Sequence, residues 1–167
     1  GGDIGSYTIS GSGGLLASST TGELVVNTHQ GTLIVNAPVV TSGATAGLLT
    51  KSGPGSLVLG GANRLDGGAT VTLNGGTLDS GANATTVTTL QLNSGVVTGA
   101  GLLTATTYNL VTGVVAGALG AGIANVSGAV SLTGTTVATT RAGTWCWRAM
   151  PRASWRLPRA RASITPC

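Results

Sequence analysis

The sequence of 167 residues has little charge and few aromatic side chains. Charged residues make up 7% of the chain and aromatic residues 3%, and there is no phenylalanine. An ordinary globular domain has about 25% charged residues, and a helical enzyme needs apolar stripes beside a charged, solubilising surface. A long charged disordered chain is excluded as well, because such a chain has high charge and few β-branched residues. These two classes of protein therefore do not fit the composition.

The residues that are abundant favour extended structure. Glycine contributes 29 residues, and the hydrophobic 41% is mostly small or β-branched. Short β-branched runs recur between Gly, Ser and Asn residues, and several alternate apolar residues with threonine, which is the period of a strand. The runs are Glu23–Asn27, Thr32–Asn36, Ser56–Leu59, Thr70–Asn74, Val87–Asn93, Leu102–Ala105, Tyr108–Thr112 and Ala129–Thr133. The sequence predicts an all-β chain.

The charge separates a body, residues 1–140, from a tail, residues 141–167. The net charge is +4, but six of the eight Lys and Arg residues and all three Trp residues lie in the tail. Arginine beside tryptophan is typical of a nucleic-acid surface. A one-nucleotide shift, however, lets the codons of residues 145–147 read Leu-Val-Leu, as at 57–59 in the body. We interpret the tail as an out-of-frame, unstructured repeat and expect no nucleic-acid partner, with a true basic tail as the alternative.

The body also lacks cysteine, and both Cys residues lie in the tail. This absence is typical of a chain that crosses a membrane unfolded and then folds in an oxidising space. Residue 1 is glycine, and no basic segment followed by an apolar one comes after it. We therefore expect a mature or partial chain without its own export signal.

Internal similarity predicts how the strands are arranged. The segment Leu73–Gly76 recurs as Leu92–Gly95. Apolar positions also step from Leu57 to Leu73, from Leu92 to Leu110 and from Leu110 to Leu132. A period of about 20 residues is typical of a solenoid coil of three short strands and three turns. The sequence predicts a parallel β-helix with aliphatic side chains inside, Thr, Ser and Asn outside, and stacked asparagines.

The sequence leaves two architectures as alternatives to the β-helix. The pairs Gly60-Gly61, Gly67-Gly68 and Gly75-Gly76 predict turns, and Asn74-Gly75 also suits a tight hairpin in an antiparallel sandwich. Residues 110–130 carry no charge and have the length of a transmembrane helix. The glycine and β-branched content of that segment favours stacked strands.

A longer motif carries a family resemblance. Residues 49–78 resemble the passenger-associated β-strand repeat of bacterial autotransporters, except at Arg64-Leu65-Asp66, and residues 84–134 are similar to repeats of filamentous-haemagglutinin-like exoproteins. The matching positions are Leu49, Thr50, Lys51, Gly53, Gly55, Leu57, Leu59, Asn63, Gly67, Gly68, Gly75, Gly76 and Leu78.

The resemblance implies a fold and a location. It implies a fragment of a right-handed parallel β-helix passenger that is exported through an outer-membrane β-barrel translocator, on the same chain or a separate one. Such passengers lie on, or are released from, the surface of Gram-negative bacteria and are commonly adhesins. The resemblance thus implies host-surface or self-association partners and a role in export and surface presentation.

Few residues in the body are suited to catalysis. His29 and Glu23 would form an acid–base pair if the chain reversed between them. Lys51, Arg64 and Asp66 share a segment where we expect only a surface ion pair. We expect a non-catalytic chain with no cofactor, metal or small-molecule substrate. The alternative is a non-catalytic part of a β-helical glycan-active enzyme whose catalytic loops lie elsewhere.

Overall fold

The computed structural model describes residues 5–16, 22–40, 47–61, 65, 68–134 and 139–140, and these contain strands and no helix. The strands are β1 (Ser6–Ile9), β2 (Leu15–Leu16), β3 (Glu23–Asn27), β4 (Thr32–Val35), β5 (Val39–Val40), β6 (Leu48–Ser52), β7 (Ser56–Leu59), β8 (Thr70–Asp79), β9 (Thr85–Thr98), β10 (Leu102–Leu110), β11 (Gly113–Val115), β12 (Ala118–Leu119), β13 (Ile123–Val126), β14 (Val130–Leu132) and β15 (Thr139–Thr140).

The strands stack as a solenoid with three faces, and one circuit of the faces is called a coil here. Face A consists of β3, β6, 70–74, 89–93, 107–110, β13 and β15. Face B consists of β1, β4, β7, 77–79, 96–98, β11 and β14. Face C consists of β2, β5, residue 65, 85–87, 102–105 and β12. Every pairing between described strands is parallel, which confirms the β-helix and excludes the antiparallel sandwich.

The register confirms part of the predicted repeat and corrects the rest. Leu73 lies opposite Leu92, and Leu92 lies opposite Leu110, as the predicted steps require. Leu57 is on face B opposite Leu78 rather than on the column of Leu73. The predicted step from Leu110 to Leu132 was also wrong, since Leu132 lies opposite Val115 on face B. The two steps were wrong because they joined leucines of face B to leucines of face A as if all of them belonged to one column.

The alternation of apolar and polar residues explains which side chains point inward. On face A, Leu49, Val71 and Leu90 lie above one another in register and are all buried. Their neighbours Thr50 and Thr72 are only partly buried on the outer side. Because side chains alternate along a strand, one face of each strand enters a shared aliphatic core while the other carries hydroxyls and amides.

The coils become shorter along the chain. At its start, Ser6 lies opposite Thr32, and Thr32 lies opposite Ser56. Further along, the paired residues are closer in sequence, since Thr89 lies opposite Thr107 and Thr107 lies opposite Ile123. We call residues 5–61 the wide region and residues 85–134 the narrow region.

The shortening is concentrated at the corner between face C and face A. In the first two coils this connection takes residues 17–22 and 41–47, whereas in the coils of β9 and β10 it takes only Thr88 and Thr106. Faces A and B keep strands of similar length throughout. Between the first coils and those of β9 and β10, the coil therefore changes its circumference mainly at this corner, whereas the connection from β12 to β13 takes residues 120–122.

Other sequence predictions have mixed outcomes. Gly60 and Gly61 follow the end of β7. Gly75 and Gly76 lie within β8 at an irregularity in its register, where the chain passes from face A to face B, and Gly76 has the positive φ angle that was predicted. The segment 110–130, which has the length of a transmembrane helix, instead contains the strands β11, β12 and β13. In the described part of the chain, no helix is long and apolar enough to cross a membrane. The predicted unstructured tail, 141–167, lies outside the described residues, and the handedness stays a prediction.

Candidate functional site

Lys51, a residue of the family-like motif, lies inside the solenoid. It occupies an inward position of β6, opposite Val26 on one side and Leu73 on the other. Its side chain is fully buried, with 0% exposure. The expected surface ion pair was therefore wrong for Lys51. The strand alternation places position 51 inside regardless of its charge, and the local backbone supplies the polar partners.

The ammonium group of Lys51 contacts three backbone carbonyls. The Nζ atom donates to the carbonyl oxygens of Ser52 and Gly53 at 2.8 Å each and to that of Gly75 at 3.3 Å. Three acceptors match the three donors of a charged ammonium group. Burial lowers the pKa of Lys51 below its ordinary value of 10.5, because removing the charge from water is costly. We call these four groups the Lys51 site.

Glycines surround the Lys51 site because the backbone approaches itself closely there. Gly53 and Gly76 have positive φ angles, in a region that favours glycine. A Cβ atom on Gly76 would collide with the carbonyl oxygens of Gly53 and Gly55 and would lie 2.9 Å from the Lys51 Nζ. The glycines of the motif thus allow the carbonyls to converge on the ammonium group.

The remaining motif positions divide between the core, the outer surface and undescribed parts of the chain. Leu49, Leu57, Leu59 and Leu78 are buried in the core. Thr50 points outward, and its hydroxyl donates to the Glu23 carboxylate of the preceding coil at 2.8 Å. Gly68 lies just before β8. Asn63 and Gly67 lie outside the described residues, as do Arg64 and Asp66 of the proposed ion pair.

Tyr108 forms a second buried polar site, in the narrow region. Its side chain has 0% exposure, and its hydroxyl donates toward the carbonyl oxygens of Leu103 and Gly120, both at 3.0 Å. The backbone N–H of Ala105 donates to the same hydroxyl at 2.8 Å. Burial is the main cause that raises the pKa of Tyr108 above 10.0. The sequence reasoning did not identify this role, although an aromatic residue at an alternating strand position was a usable signal.

Asparagine pairs connect coils on the outer surface, as predicted. Asn93 donates to the side chain of Asn74 at 2.8 Å, and Asn125 donates to Asn109 at 3.0 Å. Gln91 extends the first pair by donating to Asn93 at 2.7 Å. Being exposed, these bonds contribute less than buried ones. They show that like side chains stack on like in this solenoid.

The candidate acid–base pair does not form. β3 runs without reversal from Glu23 to Asn27, so Glu23 and His29 lie at opposite ends of the strand. Glu23 accepts its hydrogen bond from Thr50, and His29 is exposed in the following corner. Within the ranges that the structure describes, no group of three His, Cys, Asp or Glu residues is placed to hold a metal ion.

Comparison of the chain with protein-family models, with curated proteins and with solved structures finds no match. The polar groups therefore have to be interpreted from their own geometry. In both buried sites a long side chain bonds to backbone groups of its own coil and of the next one. Each site joins neighbouring coils.

Proposed function

We propose that this chain is a structural segment of a secreted or surface-anchored bacterial protein, in which the stacked coils support export and surface presentation. The proposed segment is non-catalytic and displays adhesive parts of the same protein. The motif at residues 49–78, which resembles an autotransporter passenger repeat, supports this proposal. The proposed location is the outside of a Gram-negative cell, and the proposed export partner is an outer-membrane β-barrel translocator.

The observation that carries the proposal is the Lys51 site. Two of its acceptors, on Ser52 and Gly53, belong to the coil of Lys51 itself, whereas the third, on Gly75, belongs to the next coil. The ammonium group therefore has its full set of three acceptors only when the following coil is docked. Because a buried charge that lacks a partner is costly, this site favours the docked position of the coil that carries Gly75 over a partly detached one.

This order of docking suits export without a nucleotide energy source. In the proposed mechanism the chain crosses the outer membrane extended, and its coils then stack one after another outside the cell. Each stacked coil buries aliphatic side chains and completes a parallel hydrogen-bond ladder. The free energy released outside opposes backward movement through the translocator.

The proposal is tested by display on a cell. The full chain is fused between a signal peptide and an outer-membrane β-barrel, with an epitope at its exposed end, and surface epitope is measured by antibody binding to intact cells. We expect Gly76→Ala, which disrupts the carbonyls around Lys51, to reduce the surface fraction several-fold while periplasmic chain accumulates. Gly13→Ala is the matched control, since nothing lies within 4 Å of a Cβ atom there.

Two results would contradict the proposal. One is a wild-type chain that reaches the surface no better than an unfolded linker of equal length. The other is a Gly76→Ala variant that has lost its strand signal in circular dichroism and still reaches the surface as efficiently as the wild type.

A further inference from the structure

The wide region contains an apolar cavity of about 110 Å³ that is partly open. Its walls come from all three faces of the first three coils, including Val26 on face A, Leu33 and Val35 on face B and Val39 on face C. Every side chain that lines it is aliphatic. We call it the N-terminal cavity.

The length of the coils explains why this space is empty. The wide region has the longer circuits, yet the side chains around this space are only Val, Leu and Ile, which are not larger than the aliphatic side chains buried in the narrow region. In the narrow region, where the circuits are shorter, Tyr108 crosses the interior and bonds to face C. A longer circuit with side chains of the same size leaves unfilled volume.

Exposure of the lining residues shows where the cavity opens. Ile9, in the first coil, is 36% exposed, and Leu15 and Leu24 are partly buried. Leu57 and Leu59, in the third coil, are 1% exposed. The cavity is therefore closed at its floor by the third coil and accessible beside the first.

We infer that the N-terminal cavity is a binding site for one compact apolar group, of the size of a single aromatic ring or a branched alkyl end. The lining side chains offer no polar partner to a water molecule, and a buried water needs two to four of them. Engineered cavities of about 150 Å³ with similar walls stay dry and bind benzene or xenon. A helix about 10 Å wide, or a further coil, does not fit the volume. The inference does not depend on the proposed function.

Benzene and xenon are the probes for this site, and the full chain is the sample. We expect saturable chemical-shift changes at the methyl groups of Val39, Leu49 and Leu57, with methyls of the narrow region unchanged. Benzene at about ten times its dissociation constant should raise the melting temperature by about 3 °C, because a ligand that binds only the folded state stabilises it. Non-saturable shifts spread over both regions, or no shifts, would overturn the inference.

Two variants separate filling of the cavity from a general effect of the probe. Val39→Phe places a ring inside the cavity, and we expect it to abolish the benzene-induced shifts and the melting-temperature increase. Val111→Phe makes the same chemical change at a position that is 37% exposed, and we expect it to retain both. Binding that survives in a folded Val39→Phe variant, or is lost equally in both variants, would refute the assignment of the site.

Discussion

The wide region and the narrow region are built on the same three faces but fill their interiors differently. In the wide region the long circuit leaves a cavity, and the buried polar side chain, Lys51, bonds near its own corner. In the narrow region the side chain of Tyr108 reaches from face A across the interior. Its hydroxyl bonds to the carbonyl of Leu103 on face C and to that of Gly120, which follows β12 in the next coil. The comparison teaches that the number of residues per coil, more than the identity of the aliphatic residues, decides how well the core is packed.

The largest expected effect concerns the junction between the regions. Gly76→Ala should destabilise the fold by about 2–4 kcal/mol, because a left-handed backbone is unfavourable for alanine and its Cβ would collide with two carbonyls. Urea unfolding followed by circular dichroism measures the change. Gly13→Ala should stay within about 0.5 kcal/mol of the wild type. Equal effects of the two substitutions would contradict the close approach of the coils at Gly76.

A second prediction tests the difference in packing directly. Val87→Phe, on face C of the narrow region, should cost about 1–3 kcal/mol, because a well-packed core does not accept added volume. Val39→Phe, on the same face of the wide region, should cost clearly less, since its ring enters the N-terminal cavity. Urea unfolding of both variants, followed by circular dichroism, measures the two costs. Similar costs would remove the distinction between the two interiors.

A third prediction concerns the buried tyrosine. Tyr108→Phe should destabilise the fold by about 2 kcal/mol, because it leaves buried backbone groups without their hydroxyl partner. Tyr7→Phe is the matched control, since Tyr7 is 72% exposed, and it should have little effect. Urea unfolding of the two variants measures both changes, and equal losses would contradict the special position of Tyr108.

The pH dependence of the same variant provides an independent check. Because burial raises the pKa of Tyr108, the folded chain keeps its proton at a pH where the unfolded chain has lost it. This stabilising contribution is complete below the unfolded pKa of 10.0 and is lost as pH rises through the folded pKa. The stability of the wild type should therefore fall more than that of Tyr108→Phe as pH rises from 10.0 through the folded pKa. An identical pH profile would argue against a buried hydroxyl.

The smallest expected effect is that of Lys51→Met at neutral pH, about 1 kcal/mol, because losing the carbonyl bonds is partly offset by removing a buried charge. Burial lowers the folded pKa, so the unfolded chain still binds the proton when the folded chain has released it. Wild-type stability should thus fall relative to Lys51→Met as pH drops from 10.5 through the folded pKa. Unfolding of both proteins at neutral pH and near the ordinary lysine pKa measures this difference, and a constant difference would contradict the burial of Lys51.

The sequence predicted the architecture better than the polar sites. The columns through Leu73, Leu92 and Leu110 were readable because parallel strands in register repeat the same residue type. The predicted surface position of Lys51 was wrong. Charged residues are almost never buried without partners, and the partners of Lys51 are backbone carbonyls that no side-chain pattern reveals. The hydroxyl contacts of Tyr108 depend on how closely face C approaches face A, which follows from coil length.

The variable corner between face C and face A has a consequence for how such a protein accommodates change. Since 17–22 and 41–47 are replaced by the single residues Thr88 and Thr106 without loss of register on the other faces, added sequence there leaves neighbouring ladders intact. Loop length costs little folding free energy. The corner is thus the natural place to graft peptides or whole modules onto this scaffold.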